Sequence, residues 1–179
     1  MLLHRTGHSS IAQHPREIEV GNAQSEIEAA FVSEPFGPYE LETLPVFTEQ
    51  LALIAPQSLP AIQGPGALRG RTMIAFETGC SYRRIFESWF STASVVPERV
   101  MELASYHAIF AYVVAGSGIG IMPRAVLTAL RAEGQVQIWN LPTVTGIVRT
   151  HLVWRKAQAS RPLDALRQML IAVLPSGEK

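Results

Sequence analysis

An α/β fold is what this chain predicts, and three observations predict it. From Thr72 onward, short runs rich in β-forming residues alternate with segments of helical periodicity. That order belongs to a largely parallel sheet with crossover helices. Twice, such a run meets small polar residues just before the helical pattern starts, at Glu77-Thr78-Gly79-Cys80-Ser81 and at Ala104-Ser105-Tyr106-His107. Finally, 47% of the 179 residues are apolar and 17% charged, a globular composition long enough for one domain or two small lobes.

The elements follow in order. Leu2 to Gln13 reads as a short helix ended by His14-Pro15, because the residue before proline avoids the helical region. Arg16–Val20 alternates as a strand, and Ala29–Ser33 is a second strand stopped by Glu34-Pro35. Leu41–Ile54 is strand-like, with Pro45 dividing it into two pieces. Pro56 to Gly70 is rich in proline and glycine and reads as a linker. Thr72–Phe76 is a strand. Tyr82 to Ala93 is a helix with Ile85, Phe86, Trp89 and Phe90 on one face. Arg99–Leu103 is a strand, and Tyr106–Ala115 a helix so apolar that it should be buried. Gly116, Gly118 and Gly120 lead into the strand Ile121–Pro123, and Arg124–Ala132 is a helix closed by Gly134. Strands at Val136–Leu141 and Thr150–Trp154 precede a last helix, Pro162–Leu174, whose apolar side is Leu163, Leu166, Met169, Leu170 and Val173.

Bulk properties narrow the function. Fifteen basic residues balance fifteen acidic ones, with no basic stripe of the kind a free-standing nucleic-acid binder carries. A single cysteine, Cys80, forms no internal disulfide and fits a reducing compartment. No apolar run reaches the roughly 20 residues needed to cross a bilayer, and the first residues lack a signal-peptide core. The expectation is a cytoplasmic protein away from membranes.

The two polar turns carry the chemistry. A strand feeding a helix through such a turn leaves the first helical N–H groups without intrahelical partners. These groups and the helix dipole attract anions and carboxylates. Thr78, Gly79, Cys80 and Ser81, with Ser105, Tyr106 and His107, are therefore candidate contacts for a small, anionic molecule. Ser105 also suits a plain helix cap, and Arg83-Arg84 either pair with carboxylates or offer a cation. Gly116-Ser117-Gly118-Ile119-Gly120 follows a helix and enters a strand, the reverse of a dinucleotide fingerprint, so it reads as helix termination and a tight turn. Cys80 with His107 or His151 would be the pair for an acyl-transfer enzyme. The histidines lack metal-ligand spacing apart from His4 and His8. No catalytic residue, metal or cofactor is assigned.

Four segments together resemble a known family: LPVFTEQLALIAPQSLP, TMIAFETGCSYRRIFESWF, MELASYHAIFAYVVAGSGIGIMPRAVL and THLVWRK. They resemble the effector-binding region of LysR-type transcriptional regulators, over about Ala29 to Leu174, with VVAGSGIGIMPRAVL the most specific piece. The resemblance implies a two-lobed, periplasmic-binding-protein-like (type 2) α/β fold, each lobe a mixed sheet flanked by helices. Lobe one would be residues 1–57 with 143–179, and lobe two residues 58–142. It implies a small effector in the inter-lobe cleft, transcription control, and a homodimer or homotetramer. It adds Ser33, Glu34 and Pro35 to the effector contacts, Glu34 being an awkward neighbour for an anion unless a cation pairs with it. Operator DNA would be reached only through a helix-turn-helix domain, which this sequence does not contain. The first strand of lobe one has no counterpart before Met1, and Asn22–Glu28 is short for the helix the family places there. A transport-type solute-binding protein shares the architecture and is the rival reading.

Overall fold

The computed structural model describes residues 3–4, 27–34, 41–155 and 160–174. Eight strands are placed: β1 (Leu3–His4), β2 (Ile27–Ser33), β3 (Leu41–Pro56), β4 (Thr72–Ala75), β5 (Arg99–Glu102), β6 (Ile119–Pro123), β7 (Val136–Asn140) and β8 (Ile147–Arg155). Among the described residues the helices are α1 (Ser81–Ser91), α2 (Tyr106–Val114), α3 (Arg124–Ala129), α4 (Thr143–Gly146) and α5 (Arg161–Val173), with a 3-10 turn at Pro65–Leu68. The chain divides into two packed units, Met1–Thr48 with Arg149–Lys179, and Glu49–Val148. The lobe limits expected at 57/58 and 142/143 both fall within the second unit. There, β3 and the chain after β7 are still part of its sheet and core.

In the first unit, β2 runs antiparallel between β1 and β8, with Ala29 opposite Trp154 and Ser33 opposite Thr150. Ala29, Val46, Leu152, Trp154 and Leu163 form its core. Helix α5 starts where Ser160 Oγ accepts the Leu163 N–H at 3.3 Å, with proline in the first turn. Leu163, Leu166 and Leu170 face the core, and the Arg167 guanidinium lies 4.4 Å from the Trp154 ring centroid. Met169 and Val173 do not join that face; they are 68% and 84% exposed. Of the helix expected at Leu2–Gln13, Leu3–His4 instead pairs as a strand, and the rest lies outside the described residues. The strand expected at Arg16–Val20 lies outside the described residues.

Pro45 does not break β3. The proline is exposed, and β3 meets β6 and β7 only from Leu51 and Ala52 onward. β3 also neighbours β8 in the sheet order, and the strand runs through the exposed proline without interruption.

In the second unit, β4 lies between β5 and β6, parallel to both. β3 is antiparallel to β6 and β7. The sheet is thus mixed, and the largely parallel arrangement holds only for β4, β5 and β6. Its core has two layers. Leu51, Leu53 and Ala55 of β3 face Phe86, Trp89 and Phe90 of α1. Ala52 and Ile54 face Ile109 and Val113 of α2 and Leu127 of α3. Alternate strand residues point to opposite faces, so the unbroken apolar run Leu51–Ala55 is what a strand covered on both sides requires.

Two further expectations change here. Pro56–Gly70 is packed rather than a free linker: Ile62 and Leu68 are buried, and Leu68 belongs to the α1-side core. Helix α2 is not enclosed; Ile109 and Val113 are buried, whereas Tyr112 and Val114 are 44% and 43% exposed. Uniform hydrophobicity hid the fact that only one stripe of this helix meets the sheet.

The glycine run ends α2 and admits β6. Gly116 takes the left-handed conformation (φ 83°) just past the helix. At Gly118 a Cβ would collide with the Thr72 carbonyl oxygen, so β6 approaches β4 through a residue that must lack one. Gly118→Ala should destabilise the protein by about 1–3 kcal/mol, whereas Gly66→Ala, with open space around it, should stay within about 0.5 kcal/mol. Chemical denaturation of both variants checks this.

Candidate functional site

The site is built on the parallel pair β4–β5. Thr72 lies opposite Arg99 and Ala75 opposite Glu102, so both strands end together. The ladder closes with the Leu103 N–H donating to the Ala75 carbonyl at 2.9 Å. Both chains then turn into helices at this carboxyl end, the edge at which open α/β sheets bind ligands.

After β4 the turn is made at Gly79, whose φ of 104° favours glycine. The Cys80 N–H donates to the Glu77 carbonyl at 3.3 Å, and Cys80 caps α1 without a side-chain cap bond. After β5, Ser105 is the N-cap of α2, its Oγ accepting the Ala108 N–H at 3.2 Å. The capping role of Ser105 is therefore present. Thr78, Ser105 and His107 are exposed, Gly79, Cys80 and Tyr106 half-buried, and Ser81 buried.

The two corners meet. Cys80 and Tyr106 pack against the same apolar cluster and lie within electrostatic reach of each other. The Phe76 and Tyr106 rings form an edge-to-face pair with centroids 5.0 Å apart. Arg83 braces the junction: Nη1 donates to the Phe76 carbonyl at 3.2 Å and to Glu102, and Nε donates to Glu87 at 2.8 Å. Its charge is spent on these partners, which favours the salt-bridged reading over that of a cation held for a ligand. Arg84 is exposed, with Nη2 3.4 Å from Ser81 Oγ.

One residue that sequence reasoning missed belongs to this cluster. The Tyr82 hydroxyl donates to Glu49 Oε2, and Tyr106 is hydrogen-bonded to Tyr82. Glu49 sits on β3 just before the apolar run Leu51–Ala55. A carboxylate abutting a strand buried on both faces was the available signal. Burial, and next the Glu49 charge, push the Tyr106 phenol well above its ordinary range.

Ser33 and Glu34 belong to the first unit. Ser33 Oγ lies 2.8 Å from Thr150 Oγ1, and Glu34 Oε1 lies 2.8 Å from His151 Nε2. Pro35 lies outside the described residues. Among the described residues no hydrogen bond joins Cys80 to His107, no group of three His, Cys, Asp or Glu side chains gathers as for a metal, and no helix is long and apolar enough to cross a membrane.

The model of the LysR substrate binding domain matches residues 12–175. The chain belongs to that family. Its curated LysR relatives are HTH-type transcriptional regulators. YusT of Bacillus subtilis is 30% identical over 131 residues, covering 73% of this chain and 43% of YusT. SoxR of Arthrobacter sp. is 30% identical over 130 residues, covering 72% of this chain and 44% of SoxR. The chain therefore spans less than half the length of these relatives. Among solved structures, the regulatory domain of CcmR from Synechocystis PCC6803, determined in complex with 2-PG, aligns with a TM-score of 0.72 at 23% identity, over 87% of this chain and 77% of that one. The regulatory domain of MetR from N. meningitidis aligns with a TM-score of 0.68 at 17% identity, over 86% and 77%. The fold is accordingly the type 2 periplasmic-binding-like α/β fold of LysR regulatory domains.

The raised phenol of Tyr106 makes stability pH-dependent in one direction. Above about pH 10 the unfolded chain loses this proton while the folded one keeps it, so stability is full below that pH and falls as pH rises further. Tyr106→Phe should flatten this alkaline decline in melting temperature. A decline as steep as in the parent would remove Tyr106 as its source.

Proposed function

We propose that this chain is the effector-sensing domain of a LysR-type transcriptional regulator, binding a small anionic metabolite at the two corners after β4 and β5. One observation carries the reading: the Cys80 and Tyr106 corners stand side by side at the carboxyl end of a parallel strand pair. The first-turn amides of α1 and α2 then favour a carboxylate or another anion through hydrogen bonding and the helix dipoles. Thr78, Gly79, Cys80, Ser81, Ser105, Tyr106 and His107 are the contacts offered from the second unit. The family likeness adds Ser33, Glu34 and Pro35 from the first.

No bond is made or broken. A metabolite with different affinities for two conformations shifts their populations by that difference. In the full-length regulator this bias is passed to the helix-turn-helix part and so to operator DNA. The single thiol supports a cytoplasmic setting. A transport-type solute-binding protein would share the architecture, but the curated relatives favour regulation.

The same unit offers a surface for a second copy. Tyr112 and Val114 on α2, and Val100 on β5, are exposed apolar residues, and β5 ends the described sheet order. Exposed apolar residues of this kind suit the homodimer or homotetramer of the reading.

Titration calorimetry with organic acids and amino acids tests the assignment. A ligand should bind without turnover, and Ser105→Ala should weaken it about tenfold while lowering stability by only about 1 kcal/mol. A comparable stability loss with unchanged affinity would reduce Ser105 to a cap. Replacing both Tyr112 and Val114 by Glu should convert the assembly to monomers in sedimentation; unchanged mass would exclude these residues from the contact.

A further inference from the structure

The Glu49 carboxylate stands inside the proposed site, and among the described residues no ion pair joins it to a cation. Among the described residues Arg83 pairs with Glu87 and Glu102, His151 with Glu34, and Arg167 with Asp164. Glu49 is in none of them. Its one hydrogen-bond donor among the described residues is the neutral Tyr82 hydroxyl, on Oε2. The charge reaches Tyr106, which it helps hold in its protonated form. Tyr106 in turn lies beside Cys80, so the carboxylate, the two phenols and both helix corners form one cluster within the second unit.

This arrangement is bipolar. The helix starts favour a negative group. Glu49, reached from α1 through the Tyr82 side chain, favours a positive one and repels a second anion. A simple dicarboxylate would meet attraction at one end and repulsion at the other. A molecule carrying a carboxylate and an ammonium satisfies both, with the ammonium donating to the Glu49 carboxylate and the Tyr82 or Tyr106 oxygen.

Resting on the proposed function, we infer that the effector is an amino-carboxylate and that Glu49 selects its ammonium group. Glu49 is a specificity-determining residue; the helix corners supply general affinity for the acid.

Matched pairs of probes test this in calorimetry on the intact chain: the common L-amino acids against their desamino counterparts, such as glutamate against glutarate and aspartate against succinate. An amine-bearing member should bind about ten- to a hundredfold tighter than its partner, the range of one charge-assisted hydrogen bond. Glu49→Gln keeps an oxygen for the Tyr82 hydroxyl and removes the charge, so it should bring that ratio close to one with little change in melting temperature. Tyr82→Phe gives a second variant should Glu49→Gln fail to fold; it frees Oε2 and should keep the amine preference. Equal affinity within the pairs, no binding by any amino acid, or a preference that survives Glu49→Gln overturns the inference. If desamino acids bind equally and Ser105→Ala weakens them, the site stands and only the ammonium assignment falls. If Ser105→Ala and Glu49→Gln both leave amino-acid affinity untouched, the ligand lies elsewhere and the site falls too.

Discussion

The parallel register of β4 and β5 is the constraint on which the rest of the site depends. Thr72 opposite Arg99 and Ala75 opposite Glu102 make the two strands end at one level. Had the pairing been antiparallel, the helices that follow would start at opposite edges, and their amide groups would never share a neighbour. The register is held from two sides. Within the sheet, Leu103 N–H closes the ladder on Ala75. Outside it, Arg83 of α1 ties the end of β4 to Glu102 at the end of β5. A half-buried guanidinium with three oxygen partners is geometrically demanding, so the helix start and both strand ends are positioned as one piece.

Packing explains why that piece is rigid. Strands β3, β4 and β6 carry apolar residues on both faces, with the aromatic group of Phe86, Trp89 and Phe90 on one side and α2 and α3 on the other. Phe86 and Phe90 stack with centroids 4.9 Å apart, and Trp89 meets Trp139 at 5.2 Å. Polar chemistry is confined to the strand ends, where backbone groups are still available. The cluster of Glu49, Tyr82 and Tyr106 is an exception placed at the margin of this core, and its price is a phenol held far from ionisation.

Much of this was legible in the sequence. The alternation from Thr72 onward, the capping serine at 105 and the helix-ending Gly116 are local signals, and local structure obeyed them. The likeness around VVAGSGIGIMPRAVL carried the fold. What failed depended on neighbours distant in the chain. Pro45 looked like a break because nothing local shows that the strand continues through it. The helix at Tyr106–Val114 looked buried because composition cannot say how many faces a helix has covered. Met169 and Val173 looked like core for the same reason. Glu49 escaped notice because its significance lies in a tyrosine 33 positions away. Arg83 was recognisable as a cation, but only the fold reveals that its partners are the two strand ends.

Cys80 caps the first turn of α1, is half-buried, and is the sole cysteine of the chain. A thiol that is unique by sequence and placed by the fold next to Tyr106 is a natural attachment point for a fluorophore. One maleimide reaction labels a single, known location without any engineered substitution, and the emission of that dye would report directly on what occupies the corner.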